Sequence, residues 1–225
     1  MRIEPKPGWN MPLLEALMAS EKAGGLIVDG ADDTSVTTED LQECRRIKYR
    51  MIPPDEAWIT GLIKSTPRAA STGLVDPAGI AGLLMSVDPE MLANLEAVLL
   101  VGDIDSPEDV CAMIGADPED YPECMDPDDP DGERPLGCAW IAHGALLLDL
   151  SAILRTAEEI APAPGMARSE AMIGVYTTLA HEIRHLGLAN PFLPDEEYPD
   201  ALKDEDQVEK WAIAAYEDWR NGSHA

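Results

Sequence analysis

The chain is poor in the residues that mark several common protein classes. Aromatic residues make up 5% of its 225 residues, with a single Phe, so the core has to consist mainly of aliphatic side chains. The four cysteines, Cys44, Cys111, Cys124 and Cys138, form no CxxC pair, which argues against a zinc-finger site. No apolar run reaches the length of a membrane span, and residues 1–8 lack the apolar segment of a signal peptide. We therefore expect a cytoplasmic protein with reduced cysteines.

Basic residues are scarce as well. Lys and Arg number 16 against 43 Asp and Glu, which gives a formal net charge of −27. A field of this sign repels nucleic acid and anionic membrane surfaces, so we expect neither as a partner. The negative charge can attract a basic protein partner. It is also explained by acidic residues that serve only to keep the surface solvated. Apolar residues, at 45%, are sufficient for a core, and the length fits one domain or a domain with an N-terminal extension.

Residues 181–185 have the sequence His-Glu-Ile-Arg-His, an HExxH motif. On a helix, His181 and His185 stand about one turn apart and point the same way, so both imidazoles can hold one metal ion. Glu182 lies about 100° around the helix from His181 and can reach a water molecule at that metal. Imidazole ligands together with a carboxylate suit Zn²⁺, which is the cofactor that we expect.

The surrounding sequence favours a helix with one buried face. Apolar residues recur at steps of three and four, namely Met172, Val175, Tyr176, Leu179, Ile183 and Leu186. The small residues Gly174 and Thr178 lie on the face that carries the histidines, which leaves room for a site. Ser169 is predicted to cap the start of this helix, and Gly187 is predicted to end it as the C′ residue.

A catalytic zinc ion usually has three protein ligands and one open position. No histidine follows the motif until His224, so the third ligand is predicted to be acidic. A second helix is indicated downstream by an apolar stripe from Val208 to Trp219, with Asp204 and Gln207 as a capping box. Glu205 and Glu209 are spaced i, i+4 and share one face of that helix. Other acidic candidates are Asp195, Glu196, Glu197, Asp200 and Asp204.

Over about 85 residues, 137–220, the chain resembles the gluzincins, the thermolysin-like branch of the zincin metallopeptidases. In that family a helix after the HExxH helix carries the glutamate ligand, and an acidic residue one turn later supports a zinc-bound histidine. Glu205 lies 20 residues beyond His185, the thermolysin-like interval, and Glu209 takes the position of the supporting carboxylate. The metzincin extension is absent, because position 188 is Leu and position 191 is Pro.

The resemblance implies a zinc-dependent peptidase acting on a peptide or protein substrate. His181, His185 and Glu205 would hold the metal, with Glu209 as the alternative ligand, and Glu182 would be the general base. Tyr198, between the two ligand helices, is a candidate donor to the oxyanion. Arg184 is expected to face solvent or to pair with an acid. The alternative function is an acidic interaction module with a structural or regulatory metal site.

The resemblance also implies an α+β, zincin-like fold, in which the active helix packs beside a small mixed sheet and is followed by the second ligand helix. Residues 137–151 predict two strands around a His143-Gly144 turn, and Ala145–Leu150 is our candidate for the sheet edge that pairs with a substrate. We expect a mostly helical N-terminal segment over residues 1–95 and a metallopeptidase domain over 96–225, unless the two form one compact unit.

Further elements follow from capping residues and prolines. The predicted helices are Met11–Lys22, Thr38–Tyr49, Pro89–Glu96 and Ser106–Ile114. Residues 97–102 predict a buried strand. The acidic, proline-rich segment 117–135 predicts a flexible loop. If the protein were oxidised, two of Cys111, Cys124 and Cys138 would be able to pair across it.

Overall fold

The structure, a computed structural model, describes residues 54–102, 105–125, 135–188 and 204–222. It has the predicted α+β character, with a small mixed sheet of four strands and a largely helical remainder. The helices are α1 (Glu56–Leu62), α2 (Pro67–Ser71), α3 (Pro77–Ser86), α4 (Pro107–Ala112), α5 (Leu150–Ile160), α6 (Ala167–Leu188) and α7 (Glu205–Gly222). The strands are β1 (Ile63–Ser65), β2 (Ala97–Val101), β3 (Gly137–Trp140) and β4 (Ala145–Asp149).

Several helices begin with a capping residue followed by proline. Thr66 precedes α2, Asp76 precedes α3 and Ser106 precedes α4, and each side chain accepts a hydrogen bond from a backbone N–H of the first turn. Proline suits the first position because its φ angle is already helical and the N–H it lacks would have had no partner there. These helix starts are therefore determined locally.

The sheet has the strand order β1-β2-β4-β3. Strands β1, β2 and β4 run parallel, while β3 is antiparallel to β4. Every residue of β2 and β4 is buried, as expected for central strands covered on both faces. The prediction that Ala145–Leu150 is the edge strand was therefore wrong, because β4 lies between β2 and β3, and the edge beside the HExxH helix is β3.

The hairpin predicted for residues 137–151 is confirmed. A single 3-10 turn, Ile141–His143, and Gly144 connect β3 to β4. Gly144 has a φ of +60°, and a Cβ there would lie 2.3 Å from the carbonyl oxygen of Asn94. Glycine is therefore required at this position both for its backbone conformation and for the close approach of the preceding segment.

Helix α6 is longer than the sequence indicated. It begins at Ala167, so Ser169 lies inside the first turn and is not the N-cap. Gly187 does not end it either, since the helix continues to Leu188 and Gly187 is buried. A Cβ on Gly187 would lie 2.9 Å from the backbone of Met91. This glycine thus permits close packing of α6 against the Pro89–Asn94 segment, a requirement that comes from tertiary contact.

The other predicted elements have mixed outcomes. Strand β2 and helix α4 confirm the predictions for 97–102 and Ser106–Ile114; the strand ends one residue earlier, and the helix is shorter at both ends. Pro89–Asn94 is a 3-10 helix capped by Asp88, not an α-helix to Glu96. Within the acidic segment, the 3-10 turns Pro118–Asp120 and Glu123–Met125 are short ordered elements that were not predicted. The helices predicted at Met11–Lys22 and Thr38–Tyr49 lie outside the described residues.

Strand β1 comes from the N-terminal side of the boundary predicted at residue 95, yet it pairs with β2 on the other side. Residues of α3, α5 and α6 join both sides of that boundary in one hydrophobic cluster beneath the sheet. A second cluster, with Val110, Met125 and Trp140, covers the opposite face. Among the described residues, none of the helices combines the length and the apolar character that crossing a membrane requires.

Candidate metal centre

The two histidines of the motif lie near the C-terminal end of α6, and the structure brings their rings together. The Nε2 atoms of His181 and His185 are 3.0 Å apart. The side chains are 21% and 17% exposed, so both lie at the edge of the core with one side open to solvent. The i, i+4 spacing produces this arrangement, because both Cα–Cβ bonds leave the helix on the same face.

Helix α7 places a carboxylate against the two imidazoles. The Oε2 atom of Glu205 lies 3.2 Å from His181 Nε2 and 3.5 Å from His185 Nε2. One ligand atom from each of the three residues lies within 4.8 Å of the other two. In the part of the chain that the structure describes, these are the acidic and imidazole groups that meet closely enough to share an ion.

Glu209, one turn further along α7, contacts the opposite nitrogen of the first histidine. Its Oε2 atom lies 3.3 Å from His181 Nδ1. A carboxylate at that nitrogen favours the tautomer with the proton on Nδ1 and leaves Nε2 free to bind a metal. Of the two candidates for the third ligand, Glu205 therefore faces the shared donor cluster, while Glu209 supports His181 from outside it.

An aromatic cluster holds α7 against α6. The rings of Tyr176 and Tyr216 stack with centroids 6.1 Å apart, and Trp219 lies 4.7 Å from Tyr176. The Tyr176 hydroxyl donates a 2.7 Å hydrogen bond to Asp76 at the start of α3. Burial of these rings supplies the packing that sets α7 in register with the histidines.

Arg184 adds a second contact between the two helices. Its guanidinium carbon lies 5.0 Å from the ring centroid of Trp211, a cation–π arrangement. Arg184 is partly exposed, as expected, and its partner among the described residues is this ring and not an acid. An aromatic partner on another helix is a tertiary feature that the local sequence does not indicate.

The Glu182 side chain extends from α6 towards strand β3. The residue is 8% exposed, and its carboxylate accepts a hydrogen bond from the backbone N–H of Ala139. Burial raises the pKa of this carboxyl to about 8; the negative charge of Glu205 adds to the rise, and the Ala139 N–H opposes it. Burial also lowers the pKa of the His185 imidazole, which favours the neutral, metal-binding form.

A cavity of about 280 Å³ opens beside His181 and Glu182. The small residues Gly174, Thr177 and Thr178 of α6 line it on one side, and residues 135–137, leading into β3, line it on the other. The prediction that small residues leave room beside the histidines is confirmed for Gly174 and Thr178.

Gly137 sets the distance between β3 and α6, and its role was missed in the sequence. A Cβ at this position would lie 2.6 Å from the Thr178 Cγ2 atom and 3.1 Å from the Glu182 Cγ atom. Glycine therefore lets the strand approach closely enough for the Ala139 N–H to reach the Glu182 carboxylate. A glycine that opens a predicted strand was the only sequence signal for this contact.

Several predicted residues fall elsewhere. Asp204 accepts a hydrogen bond from the backbone N–H of Gln207, so it caps α7 as the capping box predicted. Tyr198, the predicted oxyanion donor, lies outside the described residues, and so do the alternative ligands Asp195, Glu196, Glu197 and Asp200.

The donor set fits a zinc ion. Tetrahedral zinc, with ligand bonds of about 2.0–2.2 Å, holds its ligand atoms about 3.3–3.6 Å apart. The separations among the three donor atoms here are 3.0, 3.2 and 3.5 Å. Two imidazole nitrogens and one carboxylate oxygen are also the ligand types that zinc prefers when a further position is left for water.

Known proteins supply no further assignment. A scan against protein-family models found no match to this chain, and searches of curated proteins and of solved structures found none either.

Proposed function

We propose that this protein is a zinc-dependent metallopeptidase of the zincin type. One observation carries the proposal: the donor atoms of His181, His185 and Glu205 lie within 4.8 Å of one another, and the buried Glu182 borders the same cavity as His181. A structural zinc site needs four closed ligands and no adjacent acid. Three ligands with a carboxylate beside them are typical of hydrolytic sites.

In this proposal, His181, His185 and Glu205 hold the metal, and Glu209 orients His181 through Nδ1. When bound, zinc supplies Lewis-acid polarisation of a carbonyl group and lowers the pKa of a water molecule. Glu209 acts through His181, so it is a positioning residue. Such supporting carboxylates typically change metal affinity or activity by about 10–100-fold when removed.

Glu182 is the proposed general base. In its ionised form, which the positive charge of a bound metal would favour against the burial that raises the pKa of Glu182 in the metal-free chain, it would accept a proton from the attacking water and pass that proton to the leaving amine. The Ala139 N–H fixes the orientation of its carboxylate, and burial among α6 and β3 excludes competing solvent. Proton transfer by a positioned carboxylate contributes about 10²–10⁴-fold to rate, which is the size of the loss expected from its removal.

The position of β3 supports a peptide substrate. This strand is the last in the sheet order, so among the described residues its outer edge pairs with no other strand. An extended peptide can add to such an edge through main-chain hydrogen bonds. The cavity adjoins the same strand, and its small lining residues leave space for a modest side chain. The basic partner expected from the net charge of −27 stays a prediction.

The decisive experiment compares Glu182→Gln with the wild type. Each protein is loaded with zinc, its metal content is measured by atomic emission, and cleavage of a proteome-derived peptide library is followed by mass spectrometry. We expect the variant to keep its zinc and to lose cleavage by at least 10²-fold. Glu217→Gln, an exposed change on α7, is the matched control and should behave as the wild type.

Equal cleavage by the wild type and Glu182→Gln would contradict the assignment of Glu182 as the base. If zinc binds both proteins and neither cleaves any peptide in the library, the result favours the alternative function, a metal-dependent interaction module. If the wild type binds no zinc, the metal centre itself is refuted.

A further inference from the structure

Two cysteines lie in contact on the far side of strand β3, outside the metal centre. Cys124 belongs to the 3-10 turn Glu123–Met125, Cys138 is the second residue of β3, and their Sγ atoms are 3.4 Å apart. Both are free thiols. We propose that Cys124 and Cys138 form a reversible disulfide, a redox modification site that links this turn covalently to β3.

The two sulfur atoms are already close to bonding distance. A disulfide has an S–S distance of about 2.05 Å, so the sulfurs must approach by roughly 1.3 Å. We expect rotation of the two side chains to supply most of this shift. Both backbones are anchored, because Met125 is fully buried in the same cluster as Trp140, and β3 is paired with β4. The bond would therefore join two segments that are already held in the fold.

The two thiols have different chemical roles. Cys124 is exposed, whereas Cys138 is only partly accessible. A hydrogen bond from the Cys138 thiol lowers the pKa of Cys124 to about 7, so a large fraction is thiolate near neutral pH. Donating that bond raises the pKa of Cys138, and burial and the nearby charges of Cys124 and Glu182 raise it further. Cys124 is thus the attacking thiolate and Cys138 the resolving thiol.

The reaction requires an oxidant, and a small disulfide such as oxidised glutathione serves. The Cys124 thiolate attacks one sulfur of that disulfide, which forms a mixed disulfide and releases one thiolate. Cys138 gives its proton to that thiolate and attacks the Cys124 sulfur. The mixed disulfide breaks, and the second thiolate released takes from solvent the proton that Cys124 had lost. The protein dithiol is oxidised, and the small disulfide is reduced to two thiols.

The disulfide would attach to strand β3, which borders the cavity of the candidate metal centre. Cys138 stands between Gly137, which lines the cavity, and Ala139, whose N–H holds the Glu182 carboxylate. Oxidation would therefore tether the strand that positions Glu182. The disulfide forms from the two thiols alone and does not require peptide hydrolysis, so mass spectrometry detects it whether or not the protein is a peptidase.

The first experiment maps the bond in the full-length protein. Reduced protein is equilibrated with glutathione buffers of graded oxidation, quenched with acid, alkylated and digested for mass spectrometry. We expect one peptide pair joined through Cys124 and Cys138, with Cys44 and Cys111 recovered as alkylated thiols. The control Cys111→Ser should give the same linkage. A bond to another cysteine, or glutathione retained on wild-type Cys124, would overturn the proposal.

Single variants test the division of roles. Cys138→Ala removes both the resolving thiol and the hydrogen-bond donor, so it should accumulate a glutathione adduct on Cys124. The pH midpoint for Cys124 alkylation should also rise from about 7 towards the ordinary value near 8.5. Cys124→Ala should leave Cys138 unmodified under the same conditions. An unchanged midpoint in Cys138→Ala, or rapid modification of Cys138 in Cys124→Ala, would refute this assignment; circular dichroism checks that each variant is folded.

Discussion

The buried carboxyl of Glu182 links the stability of the metal-free protein to pH. Its pKa is about 8 in the folded chain, mainly because of burial, against an ordinary value of 4.5. Between these two values the folded protein keeps a proton that the unfolded chain releases. The free energy of unfolding therefore falls as pH rises through this window, is unaffected by Glu182 below pH 4.5, and levels off above pH 8.

The size of the effect follows from the width of that window. Each pKa unit corresponds to 1.36 kcal/mol, so Glu182 should lower the stability by about 3 kcal/mol at pH 7 relative to pH 4.5. This is a large part of a typical total of about 5–15 kcal/mol. Glutamine at position 182 is uncharged at every pH, has nearly the same size, and keeps an oxygen that can accept the hydrogen bond from Ala139.

Urea unfolding measures the difference directly. Wild type, Glu182→Gln and the control Glu217→Gln are unfolded in the presence of a chelator at several values of pH from 5 to 8, and circular dichroism follows the helices. We expect the free energy of unfolding of Glu182→Gln, relative to that of the wild type, to increase by about 1.4 kcal/mol per pH unit. The difference should reach about 3 kcal/mol at pH 7. The control should have the same free energy of unfolding as the wild type at each pH.

A gap between Glu182→Gln and wild type that stays constant with pH would refute this reasoning. It would mean that the carboxyl is ionised in the folded protein at pH 5, and hence that Glu182 is solvated and not enclosed by α6 and β3. A gap that narrows as pH rises would reverse the sign and show that the folded protein stabilises the ionised carboxylate, which also contradicts a pKa raised by burial.

Two further predictions concern the third ligand and the packing of α6. Zinc affinity can be measured by competition with a chromophoric chelator. Glu209→Ala should weaken zinc binding by about 10–100-fold, and Glu205→Ala should weaken it further, because Glu205 faces both histidines. The reverse order would make Glu209 the ligand. Gly187→Ala should lower the free energy of unfolding by about 1–2 kcal/mol, because the new methyl group would meet the backbone of Met91 at 2.9 Å. Gly61→Ala, with nothing within 4 Å, should instead raise it by up to about 1 kcal/mol, and equal effects at both glycines would contradict the packing described for α6.

Local patterns predicted the parts of the fold that depend on neighbouring residues. Pairs of a capping residue and a proline indicated where helices start, as at Ser106 and Asp88. The apolar run Ala97–Val101 indicated a buried strand. The three-residue strand β1 escaped notice because so short a segment has no periodicity of its own. It is a strand because β2 lies beside it and provides hydrogen-bond partners.

The incorrect predictions share a physical cause. Gly187 resembles a helix-ending glycine, but it is a point of close contact with a segment about 95 residues earlier in the chain. The edge strand was misplaced because the order of strands is a property of the whole sheet. The continuous apolar sequence of β4 was a signal for a central strand, since both faces of such a strand are covered. Similarly, cysteine spacing did not indicate that Cys124 and Cys138 would be the pair in contact.

For the candidate centre, the sequence alone determined that two imidazoles project from one face of a helix, because that arrangement depends only on the i, i+4 spacing. It also placed Glu205 and Glu209 on one face of a following helix. Tertiary structure alone decided that Glu205 Oε2 lies 3.2 and 3.5 Å from the two histidine nitrogens and that Glu182 is enclosed against β3. Both features depend on how α7 and β3 pack against α6, through aromatic stacking and the space left by Gly137. Local periodicity could not predict them, because it carries no information on contacts between distant segments.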